Sequence, residues 1–393
     1  MFGVGMAVMV AALAAAPHGI TTPPPTGPDP ATSGGVSVTT KATIDLPGVG
    51  GHGDVVVADP AAHSVYLSQS PDNNVVILNT DTNTIRAVVG GVPESTGMAY
   101  SPSYVFVAES KANMVAVISK DTWRVVATVP SGGENPDAMY YDANKGSVFV
   151  GNIDSNNLVE LSAKAPFAAQ GTLALQPAKG ENGEDLGTYV PSIDRIYQSI
   201  DNNITVINPN TRTIEKVFTL PIPAKESSKD IFYDRQQNLL WVATTASEVL
   251  AINPSTGAVA ATVKTTSGID QVAGDESRQL LFLGEGKAGV MGIVDLNAKK
   301  NIADIPTDPT FHTLAYLPGT GDVYAYLNKA NKVAVYHVAS GTPLGGAATG
   351  AGATAAGRDQ RLLYGGAATL AAALGLTVLA IRRRDQASEH HTS

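Results

Sequence analysis

Short apolar segments with an aromatic residue at a fixed place recur along the chain between Lys41 and Ser340. Their cores are Val65-Tyr66-Leu67, Val105-Phe106-Val107, Val148-Phe149-Val150, Ile196-Tyr197, Leu240-Trp241-Val242, Leu281-Phe282-Leu283 and Val323-Tyr324. The first residues of these cores lie 40, 43, 48, 44, 41 and 42 positions apart. A repeat of this length with several strands per unit is typical of a propeller blade rather than of a helical solenoid. The longest step contains the polar segment Gly180–Asp185, which we expect to form a loop between the third and fourth units.

Each aromatic segment is followed by a second apolar segment that runs into a turn. Four copies of this pattern are Val75–Thr82, Val115–Thr122, Ile204–Thr211 and Val249–Thr256. Asn and Asp close such turns through side-chain-to-backbone hydrogen bonds, and Pro presets φ. A β-branched segment such as Thr84–Val89 then follows, and no helical periodicity occurs in this region. The pattern therefore predicts an all-β fold, a seven-bladed β-propeller over residues 39–341 whose blades are four-stranded meanders.

The two ends of the repeat region predict how the ring closes. The seventh unit stops after its third strand, Val333–Val338, and lacks an outer strand. A strand-like segment, Thr39–Leu46, precedes the first unit and has no partner in its own unit. We expect this N-terminal strand to complete the seventh blade, which hides two sheet edges at once.

The ends of the chain predict export and attachment to a membrane. The apolar run Met1–Ala16 ends in small residues and resembles a secretory signal, although no Lys or Arg precedes it. Residues Leu362–Ile381 carry no charge and match the thickness of a bilayer, and three arginines follow at once. Because positive flanks stay in the cytoplasm, we expect a single-pass protein of the cell membrane with the propeller outside.

The predicted organisation follows from these assignments. It comprises a signal peptide at residues 1–16, a Pro/Thr/Gly linker at 17–38, the propeller at 39–341, a Gly/Ala linker at 342–361, a transmembrane helix at 362–381 and a cytoplasmic tail at 382–393. The helix with its arginine cluster is also similar to a sorting tail that a transpeptidase removes. No Leu-Pro-x-Thr-Gly motif precedes it, so we favour a plain anchor.

Composition excludes several classes of function. The formal net charge is −9, which disfavours binding to nucleic acid, since that requires a basic face. The chain has no cysteine, so disulfides, thiolate zinc sites and thiol nucleophiles are excluded. Motifs of triad hydrolases, zincins and c-type haem proteins are also missing.

The repeat units resemble a known family. Asn73–Leu78 and Val249–Gly257 look like YVTN-type (YncE-like) β-propeller repeats, and the resemblance covers about three quarters of the chain. The strict Tyr-Val-Thr-Asn motif is absent, and Tyr66-Leu67-Ser68-Gln69 stands in its place. The resemblance implies an exported seven-bladed scaffold, and because propellers host many activities it does not define a reaction.

Candidate chemistry lies where the first strand of each blade enters the central channel. Counting back from the turns places seven positions at this mouth: Asp54, Thr96, Asp137, Leu186, Lys229, Asp270 and His312. Asp54, Asp137, Asp270 and His312 are a candidate metal set for a divalent cation such as calcium, because hard cations prefer carboxylate oxygens. The pair His52 and His312 is a sharper metal hypothesis, and the alternative is that all of these residues are simply solvated. Like charges repel, so we expect at least one carboxyl pKa to be raised unless Lys229 or a cation compensates.

Two hypotheses of function follow. The first is a membrane-anchored binding or scaffold module for a protein or a small ligand, with no enzymatic activity. The second is a metal-assisted lactonase- or lyase-like enzyme whose site is the channel mouth, where a carboxylate can serve as general acid or base. The aspartate loops Asp72–Asn74, Asp154–Asn157 and Asp201–Asn203 resemble calcium-loop fragments, but they are better explained as hairpin tips.

Overall fold

The computed structural model describes residues 31–33 and 35–340, and these residues form seven antiparallel sheets. In chain order the strands are β1 (Ala31–Ser33), β2 (Val36–Asp45), β3 (Val56–Asp59), β4 (Ser64–Gln69), β5 (Asn74–Asn79), β6 (Thr84–Gly90), β7 (Ser95–Tyr100), β8 (Tyr104–Glu109), β9 (Met114–Ser119), β10 (Arg124–Pro130), β11 (Pro136–Asp142), β12 (Ser147–Asn152), β13 (Asn157–Ser162), β14 (Ala169–Ala174), β15 (Glu184–Val190), β16 (Arg195–Ile200), β17 (Asn203–Asn208), β18 (Thr213–Thr219), β19 (Ser228–Asp234), β20 (Leu239–Thr244), β21 (Glu248–Ile252), β22 (Val259–Lys264), β23 (Val272–Asp275), β24 (Leu280–Glu285), β25 (Val290–Asp295), β26 (Lys300–Pro306), β27 (Leu314–Leu317), β28 (Asp322–Leu327) and β29 (Lys332–Ser340). Two single 3₁₀ turns, Pro60–Ala62 and Ser70–Asp72, interrupt the first blade.

The sheets are the blades of a closed propeller. Blades one to six each contain four consecutive strands in meander order, from β3–β6 through β23–β26. The first strands of neighbouring blades contact one another in sequence, and β27 of the seventh blade contacts β3 of the first. The seven-bladed all-β architecture predicted from the repeat is confirmed.

The N-terminal strand closes the ring as predicted, but strands already occur at Ala31–Ser33 and from Val36, inside the segment 17–38 that was predicted to be a linker. β2 pairs antiparallel with β29 from Val36 opposite Ser340 to Asp45 opposite Lys332. The short strand β1 pairs with β2 and adds a fifth strand to this blade. On the same blade the Lys41 ammonium lies 2.5 Å from the buried Asp322 carboxylate, which ties β2 to β28 as well.

Hydrophobic burial explains why the blades stack. The repeat aromatics lie on the second strand of each blade, and Tyr66, Phe106, Trp241 and Phe282 are fully buried. The cores form between adjacent blades rather than within one, because both faces of a middle strand are covered by neighbours. The fourth strands alternate between partly buried and exposed residues, as expected for the rim.

A β-bulge recurs in the outer strand of all seven blades. The pairing register between the third and fourth strands steps by one residue at Arg86, Val126, Gln170, Glu215, Ala260, Ile302 and Lys41. Bulges twist an edge strand and discourage pairing with another chain. The hydrophobic repeat gave no sign of this feature.

The aspartate-containing loops are hairpin tips, as predicted. Asn73, Asn156 and Asp201 adopt left-handed conformations with φ between 47° and 53°. The Asp72 carboxylate accepts backbone N–H bonds from Val49 and Gly50, which fastens the segment before the first blade. These aspartates therefore hold loops in place.

The terminal assignments lie outside the described residues. This applies to the signal peptide at residues 1–16, to the linker at 342–361, to the transmembrane helix at 362–381 and to the tail at 382–393. Across residues 31–33 and 35–340, no helix reaches the length and hydrophobicity that a membrane span needs.

Candidate functional site at the channel mouth

Strand register defines a ring of seven equivalent residues, here called the mouth ring. In each blade, regular pairing of the first strand with the second begins at one residue, and the ring member lies two positions before that residue. In blade five, for example, regular pairing begins with Ile231 opposite Val242, so the ring member is Lys229. The seven members are Asp54, Thr96, Asp137, Asp185, Lys229, Asp270 and His312. All seven are partly exposed, so the ring is open to solvent.

The structure corrects one position of the sequence prediction. Asp185, not Leu186, is the fourth-blade member, because Gly187 is the residue that pairs with Gln198. Asp185 precedes the repeat aromatic Tyr197 by twelve residues, as Lys229 precedes Trp241. This spacing of twelve residues could have identified Asp185 from the sequence. The insertion of the polar loop before blade four made the count from the turns uncertain by one residue.

One side of the ring is built around the ammonium of Lys229. Lys229 forms ion pairs with Asp185 of the preceding blade and with Asp270 of the following blade, the latter at 3.4 Å. Burial opposes the charge of Lys229, but these two carboxylates raise its pKa above the ordinary value. Burial raises the pKa of Asp185 to about 6, although Lys229 acts in the opposite direction.

The other side of the ring carries two histidines and two carboxylates. His52 Nε2 lies 3.3 Å from Asp54 Oδ1, and this hydrogen bond raises the pKa of His52 despite partial burial. The rings of His52 and His312 stack with centroids 5.1 Å apart. His312 Nδ1 lies 2.9 Å from Asn328 Nδ2. The two histidines that the sequence paired are thus neighbours.

Among residues 31–33 and 35–340, Asp137 is surrounded by carboxylates and has no positive partner. Burial raises its pKa well above the usual range, and Asp54, which lies within hydrogen-bonding reach, raises it further. Its Oδ1 atom is inaccessible to solvent and has no hydrogen-bond partner among the described residues. The prediction that crowding raises at least one carboxyl pKa at the mouth is confirmed here.

A second layer of polar groups lies one residue deeper in the channel, and the sequence analysis missed it. Burial raises the pKa of Asp230 to about 7, while the carboxylate accepts backbone N–H bonds from Ile231 at 2.8 Å and Val272 at 3.1 Å. The Gln271 amide donates to the Val56 carbonyl and accepts from Leu314 N–H, both at 3.0 Å. Gln271 therefore links blades six, seven and one below the mouth.

The carboxylates of the candidate metal set do not form one cluster. Asp54 and Asp137 lie together, whereas Asp270 is paired with Lys229. In the part of the chain that the structure describes, no group of three or more His, Asp or Glu side chains is arranged to hold a metal ion. The ring is suited to binding a positive charge and to donating a proton near neutral pH.

A cavity of about 340 Å³ lies at the opposite end of the inner strands, between blades four and five. It is lined by Tyr189, Phe232, Tyr233 and Arg235 among others. The polar groups there are satisfied within the protein, since Tyr189 donates to Asp194 at 2.8 Å and Arg235 pairs with Glu276 at 2.7 Å. We therefore assign the candidate chemistry to the mouth ring rather than to this cavity.

Comparison with known proteins adds information about fold alone. No protein-family model and no curated protein sequence matches the chain. Among solved structures, the chain is similar to a chain of the hydrazine synthase of Kuenenia stuttgartiensis, with a TM-score of 0.64 and 12% identity. The match covers 74% of this chain and 96% of that one. At this identity the likeness supports the propeller architecture of the described residues and carries no activity with it.

Proposed function

We propose that this protein is a membrane-anchored, extracytoplasmic propeller of the YVTN type that binds a small polar ligand at its mouth ring. The seven blades and the closing strand support the assignment to that family, and the uncharged C-terminal segment of the sequence supports the anchor. The observation that carries the binding function is the mouth ring itself. It places four carboxylates and one lysine in an open position, and partners among the described residues do not satisfy all of them.

Ligand screening by thermal shift tests the binding function. The full chain in detergent is heated with a library of small amines, acids and sugars, and compounds that bind the native state raise Tm by mass action. The double variant Asp54→Asn with Asp137→Asn should lose the shift, because it removes the two mouth-ring carboxylates that are not paired with Lys229. The matched control is Asp121→Asn, a charge removal in an exposed turn of blade two.

Protease treatment of intact cells tests the proposed location. External protease should remove the propeller and leave a short membrane-bound fragment, since the arginines after the apolar segment favour a cytoplasmic C-terminus. Full protection of the propeller would contradict the orientation. A library without a single binding compound would contradict the binding function independently.

A metal-assisted lactonase- or lyase-like enzyme is the second candidate. The proximity of His52 and His312 to Asp54 favours it, because imidazole and carboxylate are both metal ligands. Elemental analysis of the purified protein, together with lactone hydrolysis before and after chelation, tests this candidate. Stoichiometric metal that is lost in a His52→Ala and His312→Ala double variant would favour the enzyme over the binding module.

A further inference from the structure

The polar loop before blade four contains a chemically labile pair of residues. Asn182-Gly183 is the one Asn-Gly pair in the sequence. Asparagine is among the thermolabile residues, because the backbone nitrogen that follows it can attack the side-chain amide. A glycine at the following position has no Cβ to hinder that approach. Asn182 is exposed to solvent, so water can reach the reacting groups.

A single carboxylate holds this loop in place. Asp201 lies at the hairpin tip between β16 and β17, and its carboxylate accepts backbone N–H bonds from Asn182 and Gly183, each at 3.0 Å. It accepts a third N–H bond from Gly180. The Asp201 N–H donates in return to the Gly183 carbonyl at 2.8 Å. The N–H and the C=O of Gly183 are therefore both bonded to the same residue.

This arrangement opposes deamidation at its first step. For a succinimide to form, the Gly183 nitrogen must lose its proton and turn towards Asn182 Cγ. A proton that is bonded to a carboxylate is harder to remove, because the neighbouring negative charge disfavours the amide anion. The same hydrogen bond directs the Gly183 N–H towards Asp201 and so restrains the turn. Loss of one hydrogen bond to a charged group corresponds to a rate increase of between about tenfold and a hundredfold.

We propose that Asn182 is a site of spontaneous deamidation, and that the Asp201 carboxylate slows the reaction by holding the Gly183 N–H. In the reaction, the Gly183 nitrogen forms a bond to Asn182 Cγ. The bond from Cγ to the side-chain nitrogen breaks, and that nitrogen leaves as ammonia with the proton that Gly183 lost. Water, the one further reactant, then opens the succinimide ring at either carbonyl, which leaves aspartate or isoaspartate in place of Asn182.

The modification bears on the mouth ring because the loop leads directly into β15. Glu184 begins that strand, and Asp185, the next residue, forms the ion pair with Lys229. Isoaspartate inserts a methylene group into the backbone just before Gly183, so the loop can no longer keep its register on Asp201. We expect the ion pair between Asp185 and Lys229 to be weakened in the isoaspartate form.

Peptide mapping by mass spectrometry measures the reaction directly. Trypsin cleaves after Lys179 and Arg195, and Asn182 is the sole asparagine of the peptide between them. The full chain in detergent is kept at pH 8, and the conversion of Asn182 is followed with time. Asp201→Gly removes the acceptor and should speed the conversion at least tenfold, whereas Asp201→Asn keeps a neutral acceptor and should give an intermediate rate. Both replacements tolerate the φ of 49° at this position.

The matched control is Asp72→Asn, which alters the carboxylate that holds the loop before blade one. It should leave the rate at Asn182 unchanged. In urea the wild type and Asp201→Gly should react equally fast, and both faster than the native wild type, since the hydrogen bond exists only in the folded chain. Hydrogen exchange of the Gly183 amide should be slow in the native wild type and fast in Asp201→Gly.

Several outcomes would overturn the inference. Equal native rates in the wild type and Asp201→Gly would remove the protective role, and so would a native wild type that reacts as fast as the chain in urea. An equal acceleration by Asp72→Asn would mean that the mouth loops loosen in general. If Asp201→Gly does not fold, Asp201→Asn decides, because its rate must still exceed that of the wild type. The proposed binding function is tested separately by the ligand screen.

Discussion

The inner strands carry carboxylates at both ends, buried at the far end and partly exposed at the mouth, and the two groups have different partners. In blade six, Asp275 ends β23 and accepts hydrogen bonds from Tyr316 of the next blade at 2.7 Å and from Ser277 at 2.6 Å, and it pairs with Arg278. Burial would raise the pKa of Asp275, but these donors lower it below the ordinary value. At the mouth end of the same strand, Asp270 shares one lysine with Asp185.

Blade one repeats the contrast. Asp59 at the end of β3 is fully buried, accepts from Tyr66 at 2.7 Å and pairs with Lys120 of blade two. Asp54 at the other end of the same segment faces Asp137 instead. Carboxylates at the far end therefore bind blade to blade, whereas at the mouth burial, together with neighbouring carboxylates, raises the pKa of Asp137 and of Asp185. Perturbed titration of this kind is a mark of functional sites.

The largest effect is expected when a far-end pair is broken. Lys120→Met should reduce the free energy of unfolding by about 3 kcal/mol, because it leaves the buried Asp59 carboxylate uncompensated. Urea denaturation of the full chain in detergent measures this loss. Addition of Asp59→Asn should restore much of the stability, and a loss below about 1 kcal/mol in the single variant would contradict the structural role.

The free energy of unfolding should depend on pH because of two carboxyl groups near the mouth, those of Asp230 and Asp185. Because the folded-state pKa of Asp230 is about 7 and that of Asp185 about 6, the native state binds more protons than the unfolded chain above about pH 4. Stability should therefore fall as pH rises from 4 to 7, by up to about 1.4 kcal/mol per pH unit for each carboxyl still protonated. Asp230→Asn should flatten the curve, and Asp121→Asn should not.

Removal of the lysine at the mouth should lower the free energy of unfolding by less than removal of Lys120 does. Lys229→Met should lower the free energy of unfolding by about 1 kcal/mol at pH 7, since the site is partly exposed and Asp185 can take up a proton once the ammonium is gone. The loss should shrink at pH 5. A loss equal to that of Lys120→Met would mean that the two ends of the strands do not differ.

The smallest effect is expected at the unpartnered carboxyl. Asp137→Asn should leave the free energy of unfolding within about 0.5 kcal/mol of the wild type or raise it slightly, because it removes a carboxyl that burial and Asp54 disfavour in its charged form. Thermal unfolding at pH 7 and pH 5 measures this. Marked destabilisation would place Asp137 among the structural carboxylates.

Much of the fold was readable from the chain alone. The spacing of the aromatic cores predicted seven blades, and the unpartnered segment Thr39–Leu46 predicted the closing strand, now seen as β2. The hairpin tips followed from Asn and Asp, which tolerate left-handed turns. The strands and the turns depend on neighbours in sequence, because alternation along a strand and the chemistry of a four-residue turn are local properties. The closing strand pairs with a distant strand, and it was predicted because the seventh unit lacked its outer strand.

The candidate site could be read only in outline. Six of the seven mouth-ring residues were predicted, since equivalent positions in a repeat come to equivalent places, but Asp185 was missed by one residue and Asp230 altogether. The pairing of Lys229 with Asp185 and Asp270 and the stacking of His52 on His312 join residues 40 or more positions apart. Such contacts depend on blade packing, register and bulges, so the sequence by itself determined which groups meet at the channel, and the tertiary structure decided which of them are satisfied.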